Sequence, residues 1–148
     1  MIGATAFGEM LPNHANRVRL DASKTDKWGQ PVLAIDCAIG ENERLMRVDM
    51  ANDMAEMLDA TGVKDVNTYD NEYFPGMGIH EMGTARMGRD RRSSVLNANN
   101  QVWDCPNVFV TDGACMASAA CQNPSLTYMA LTARAADFAV DELSRRNL

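Results

Sequence analysis

Apolar and polar residues alternate weakly over residues 3–10 and again in Arg17-Val18-Arg19-Leu20, the two-residue period of a half-buried strand. A turn-rich link, Asp21-Ala22-Ser23-Lys24-Thr25-Asp26-Lys27-Trp28-Gly29, leads to Pro31 to Ala38, where Val32, Leu33 and Ile35 mark a third strand. The second and third segments predict an antiparallel hairpin with a long tip. From Glu41 to Ala60 the period lengthens: Met46, Met50, Met54 and Met57 or Leu58 recur on one side of a helix. Acidic residues favour its first turn and Gly62 is placed to end it. Val63 to Thr68 reads as a short strand, and Asp70 to Gly78 as a loop.

Beyond the loop, Val95-Leu96 is a small apolar segment, Asn97-Ala98-Asn99-Asn100 a turn, and Val108-Phe109-Val110 a buried-type strand. The last segment, Asn123 to Leu143, is the clearest helix. Asn123 suits the N-cap and Pro124 the first helical position, where a missing N–H costs nothing. Leu126, Met129, Ala133, Ala136, Val140 and Leu143 form one apolar stripe, with Asp141 and Arg145 as an outward pair.

Composition narrows the field of functions. With 148 residues, 46% hydrophobic and 23% charged, the chain has the makings of one soluble domain with a real core. A net charge of −6 argues against nucleic-acid binding, which needs a basic face to neutralise phosphates. Arg86 and the arginines between 89 and 92 read as a solvated loop rather than an anion site. No run reaches the ~20 apolar residues of a membrane span, and the start of the chain lacks the basic region of a signal peptide. Compartment stays open between cytoplasm and periplasm. Cys37, Cys105, Cys115 and Cys121 form no C-x-x-C pair, and only His14 and His80 could join them, so neither a zinc site nor a metal hydrolase is expected. The methionine stripe reads as core packing.

Candidate chemistry gathers late in the chain. His80 sits in His80-Glu81-Met82-Gly83-Thr84, close to Tyr73 and Phe74; taken alone, it is as well explained by a bond to a loop carbonyl. Asn123 is likewise a common helix cap. Together with Arg86-Met87-Gly88, Ser94-Val95-Leu96, Gln101-Val102-Trp103, Asn107 to Ala114 and Asn123-Pro124-Ser125-Leu126-Thr127, these segments closely resemble the C-terminal part of the glucose-methanol-choline (GMC) flavin oxidoreductases. The ordered likeness covers residues 80–143, with weaker likeness at Asn16 to Asp21 and Trp28 to Val32.

The resemblance implies an α+β fold: a mostly antiparallel sheet with helices packed on one face, then a strand and helix that return to the FAD domain. It divides the chain into a substrate-domain portion, 1–106, and a strand–helix segment, 107–148. It also implies oxidation of a CH–OH group of a small-molecule alcohol or sugar, with FAD as cofactor. His80 would take the hydroxyl proton while hydride passes to flavin N5, and Asn123 would hydrogen-bond the substrate oxygen. Asp112, Gly113 and Ala114, with Asn123, Pro124 and Ser125, would lie against the cofactor. An imidazole titrating near ~6.5 suits proton abstraction at neutral pH, and a helix N-terminus suits an anionic flavin edge.

The strand–G-x-G-x-x-G–helix of a dinucleotide site is absent: Gly76-Met77-Gly78 is followed by Glu81 where the third glycine should be. The expectation is therefore a C-terminal fragment or split-gene product that holds FAD weakly or not at all without an N-terminal FAD-binding portion. The face of helix 123–143 would then be left bare, favouring self-association. The alternative is a non-catalytic α+β interaction module derived from the same family.

Overall fold

The computed structural model describes residues 2–77 and 79–148; Gly78, the end of the expected 70–78 loop, lies outside the described residues. The elements are two antiparallel strand pairs and two long helices, an α+β arrangement as the sequence implies. Strands β1 (Arg17–Thr25) and β2 (Pro31–Asp36) form the expected antiparallel hairpin, Val18 facing Ile35 and Leu20 facing Leu33. Strand β1 runs on through Asp21 to Thr25, so the long tip expected over 21–29 shrinks to a short turn at residues 26–30. Its tip is built by Asp26, whose carboxylate accepts the N–H groups of Trp28 and Gln30, and by Gly29 at φ +81°. A side-chain-bearing residue enters that left-handed region only with strain. The second pair, β3 (Gln101–Val102) and β4 (Cys105–Phe109), forms a separate ladder.

Helix α1 spans Glu41–Ala60. Its half-buried stripe is Met46, Met50, Met54 and Leu58, which settles the choice against Met57, 59% exposed. Glu43 is buried and braces the helix start: one carboxylate oxygen accepts the N–H of the capping residue Gly40 at 2.9 Å, the other that of Leu11 at 3.0 Å. Residues 3–10 therefore do not form a strand. They run along α1, where Gly8 lies so close to Met46 that a Cβ would meet its side chain at 2.6 Å. Residues 63–68 also lack the expected strand, turning at Asp65 with φ +57°. In both segments a β-like pattern finds no neighbouring strand to pair with, and a weak propensity cannot replace a ladder.

Helix α2 spans Ser125–Ser144 and begins later than its sequence signals indicate. Pro124 is the capping residue, its carbonyl accepting the first helical bond from Tyr128 N–H at 3.0 Å, so Asn123 precedes the cap. The half-buried inner face is Tyr128, Leu131, Phe138 and Ala139 with buried Ala135; the stripe from Leu126 to Leu143 points outward. A helix apolar on both sides gives periodicity no means of choosing which one packs inward. Arg145 pairs with Glu142 at 3.2 Å rather than with Asp141. No described helix is long and apolar enough to cross a membrane.

Candidate functional site

Main-chain bonds hold the segment after His80 against the 113–115 turn. Successive N–H groups of Gly83, Ala85 and Met87 donate to the carbonyls of Gly113, Ala114 and Cys115, at 3.4, 3.0 and 2.8 Å. On the other edge, Val95 and Leu96 both donate to the Arg86 carbonyl, and Gly88 donates back to the Leu96 carbonyl. Leu96 bridges in turn to Val102. Backbone bonds and isolated bridges thus link the segment after His80 to the 113–115 turn on one side and, through 95–96, to β3 on the other. Leu96 is fully buried.

Two glycines make this closeness feasible. A Cβ on Gly113 would meet the Glu81 carbonyl oxygen at 2.7 Å, the Tyr128 hydroxyl at 2.9 Å and the Met82 sulfur at 3.2 Å. A Cβ on Gly88 would meet the Ser94 Cβ at 2.6 Å. Tyr128, one turn into α2, donates its hydroxyl to the Met82 sulfur at 3.6 Å. Burial, with the nearby Asp112 carboxylate, pushes the Tyr128 pKa up, so the phenol stays a donor. The His80 loop, the strand-end turn and the start of α2 therefore meet around Gly113.

His80 is half-buried and adopts φ +64°, in the left-handed region that costs a non-glycine residue about 1 kcal/mol or more. Asp112 caps the 3-10 turn Gly113–Cys115, its Oδ1 accepting the Ala114 N–H at 3.0 Å. Asn123 and Ser125 are exposed and Pro124 is buried. The start of α2 has no side-chain cap and no acidic residue in its first turn. Its positive end is open to an anionic group, which fits the pyrimidine edge of a reduced flavin. Among the described residues no group of three His, Cys, Asp or Glu could hold a metal. Three of the four arginines of the 86–92 loop are locally engaged: Arg91 with Asp104, Arg92 with Asp90 at 2.6 Å, and Arg86 with the Ser93 carbonyl.

A polar hub behind the turn escaped the sequence reading. Asn100 is fully buried at φ +63°; its Nδ2 donates to the Val110 carbonyl and its Oδ1 accepts from Arg134 of α2, both at 2.9 Å. Cys115 is fully buried beside it, and burial raises its thiol pKa. The four cysteines are free. The one available signal for the hub was the asparagine-rich turn at 97–100, since asparagine tolerates left-handed backbone better than most residues.

A family model described as GMC oxidoreductase matches residues 12–132. The chain is 36% identical over 143 residues to a 2-methyl-1,2-propanediol dehydrogenase of Mycolicibacterium austroafricanum, covering 95% of the chain and 24% of the relative. It is 34% identical over 140 residues to a paromamine 6'-oxidase of Streptomyces fradiae, covering 92% and 25%. A pyranose 2-oxidase of Tricholoma matsutake is 29% identical over 125 residues, covering 83% and 22%. The chain spans about a quarter of the length of these curated relatives.

Proposed function

Because the chain belongs to the GMC oxidoreductase family, we propose that it is the C-terminal active-site portion of an FAD-dependent enzyme oxidising a CH–OH group of an alcohol or sugar. The observation that carries this reading is the junction at Gly113, which ties the His80 loop to the start of α2. The relatives' names, a diol dehydrogenase and two oxidases, support the substrate class.

In this reading His80 accepts the substrate hydroxyl proton, and its left-handed backbone, held by the ladder that follows it, aims the imidazole. Strained backbone that the surroundings over-determine is a frequent mark of functional positions. Asn123 donates its amide to the oxygen on which negative charge develops. The FAD, when bound, supplies the acceptor for the carbinol hydride. Asp112, Gly113 and Ala114 form one wall of its site, and Asn123, Pro124 and Ser125 present the open helix end to its pyrimidine edge. Residues 107–148 belong with the FAD domain in this reading and residues 1–106 with the substrate domain.

Most of the cofactor's binding surface lies on a portion equivalent to the rest of the relatives, so the isolated chain is inactive and holds FAD weakly. The test is complementation. The chain is mixed with the flavin-binding portion of a relative, and bleaching of flavin absorbance by alcohols or sugars is followed. Turnover that His80→Ala abolishes supports the reading, and full turnover in His80→Ala overturns the role of that residue. A chain that associates with no such portion is instead the non-catalytic module.

A further inference from the structure

Tyr128 meets three of the candidate segments at once. Its N–H donates to the Pro124 carbonyl at 3.0 Å, closing the turn of α2 that follows Asn123. Its hydroxyl donates at 3.6 Å to the sulfur of Met82, two residues beyond His80. The same oxygen lies beside the 113–115 turn, 2.9 Å from the point that a Cβ on Gly113 would occupy. The start of the helix and the His80 loop are thereby joined through a single side chain.

The join falls where the main chain holds the loop least. Of the three bonds from the loop to the 113–115 turn, the one nearest His80 runs from Gly83 N–H to the Gly113 carbonyl. It is the longest, at 3.4 Å against 3.0 and 2.8 Å farther along. N–H···O bonds of ordinary strength span about 2.7–3.2 Å, so the backbone ties this end of the loop loosely. The other end is firm: Met87 has the 2.8 Å bond, and its sulfur also accepts from Arg134 at 3.5 Å. His80 itself stands at φ +64°, a conformation that persists only where the surroundings impose it. Residues 80–82 therefore need a hold besides the ladder, and the Tyr128 hydroxyl is in place to supply it.

The oxygen matters here more than the ring. A methionine side chain has three rotatable bonds and settles into whatever gap it meets. A hydroxyl directed at the sulfur gives Met82 one resting place, even though a thioether is a weak acceptor. Burial keeps the proton on the phenol, so it remains a donor. Gly113, lacking a side chain, leaves the slot that the oxygen fills.

We propose that Tyr128 is a positioning residue: its hydroxyl, through Met82, sets the His80 imidazole relative to the Asn123 end of α2. The inference rests on the roles proposed above for His80 and Asn123. Such a contact acts on geometry rather than on substrate affinity, and a small misplacement of a reacting group is costly in rate. A ring that merely filled space would serve as well without its oxygen.

The chain has two histidines, His14 and His80, so the proton–carbon correlation spectrum of its imidazole rings has two signals, which His14→Gln tells apart. In the full chain, Tyr128→Phe should move the His80 signal by more than its linewidth and leave that of His14 in place. Met82→Leu should move it too, and the double variant should add nothing to the larger of the two shifts. In the enzyme completed by the flavin-binding portion of a relative, Tyr128→Phe should lower kcat by about 10–10²-fold with KM little changed. An unmoved His80 signal in Tyr128→Phe overturns the proposal, as do shifts that add in the double variant or an unchanged kcat. Should Tyr128→Phe fail to fold, Met82→Leu must displace the Tyr128 Cζ resonance; if it does not, the contact is absent and the proposal falls. A parent chain without turnover overturns the redox reading alone, because the coupled shifts are read without flavin or substrate.

Discussion

Arg134 of α2 donates from Nη2 to Oδ1 of Asn100 at 2.9 Å, joining the C-terminal helix to the turn that precedes β3. Asn100 is saturated: its Nδ2 serves the Val110 carbonyl, its backbone carbonyl accepts from Val110 N–H and its backbone N–H donates to Asn97. Removing one partner of such a buried set leaves groups without hydrogen bonds, at about 1–3 kcal/mol. Asn100→Ala should therefore lower stability by about 2–3 kcal/mol, adding backbone strain to the lost bonds. Asn100→Gly, which accepts the left-handed backbone, should lose less. Urea unfolding of the two variants checks this, and equal losses would show that backbone conformation contributes nothing.

Gly113 has the tightest surroundings at the candidate site. Gly113→Ala must force apart the Glu81 carbonyl, the Tyr128 hydroxyl and the Met82 sulfur. The expected loss is about 1–3 kcal/mol, with a larger proportional loss of complemented turnover, because the displaced segments carry His80 and Asn123. Gly3→Ala, with nothing near its Cβ, is the matched control and should leave both quantities unchanged.

Acid should loosen the grip of the N-terminal segment on α1. The Leu11 N–H, together with other donors, holds the Glu43 carboxyl below its ordinary 4.5, and hydrogen bonding from Arg19 lowers Asp36 below 3.8. Groups with depressed folded pKa values contribute stability that is complete above their unfolded values and is lost as pH falls through the folded ones. The urea midpoint should thus hold level from neutrality down to about 4.5 and then fall. Glu43→Gln should show a shallower fall, and an identical acid limb would remove Glu43 from the account.

Thiol labelling should separate one cysteine from three. Cys37, Cys105 and Cys121 are exposed, whereas Cys115 is buried with its pKa raised by that burial. A disulfide reagent at neutral pH should modify three thiols rapidly and Cys115 only on unfolding. Rapid reaction of all four would show the hub to be open.

The sequence was legible where local signals and tertiary packing agreed. Helix α1 follows its predicted bounds because the first-turn acids and Gly62 mark its ends and the methionines mark its inner side. The β1–β2 hairpin followed from alternation and a turn-forming Asp26. Legibility failed where a choice depended on neighbours. Residues 3–10 alternate like a strand but lie on α1, because Glu43 claims the Leu11 N–H. Helix α2 offered two apolar faces, and it is contacts with distant segments, such as Phe138 with Phe109, edge to face at 6.3 Å, that identify the inner one. At the candidate site, His80, Gly113 and Asn123 stood out as part of an ordered family likeness. Tyr128 and Arg134, which join α2 to its surroundings, looked like ordinary helix positions, since no spacing rule announces a bond between residues 46 or 34 positions apart.

The ladder between residues 83–87 and 113–115 has an evolutionary implication. Its bonds run between peptide groups, so the scaffold that fixes the loop asks little of the side chains along it, beyond the absence of any at Gly113 and at Gly83, whose φ is +89°. Descendant sequences can therefore exchange the side chains around the loop while the frame keeps its dimensions. Variation at those positions then comes at small structural risk, in keeping with one family whose members are named for a diol, paromamine and a pyranose.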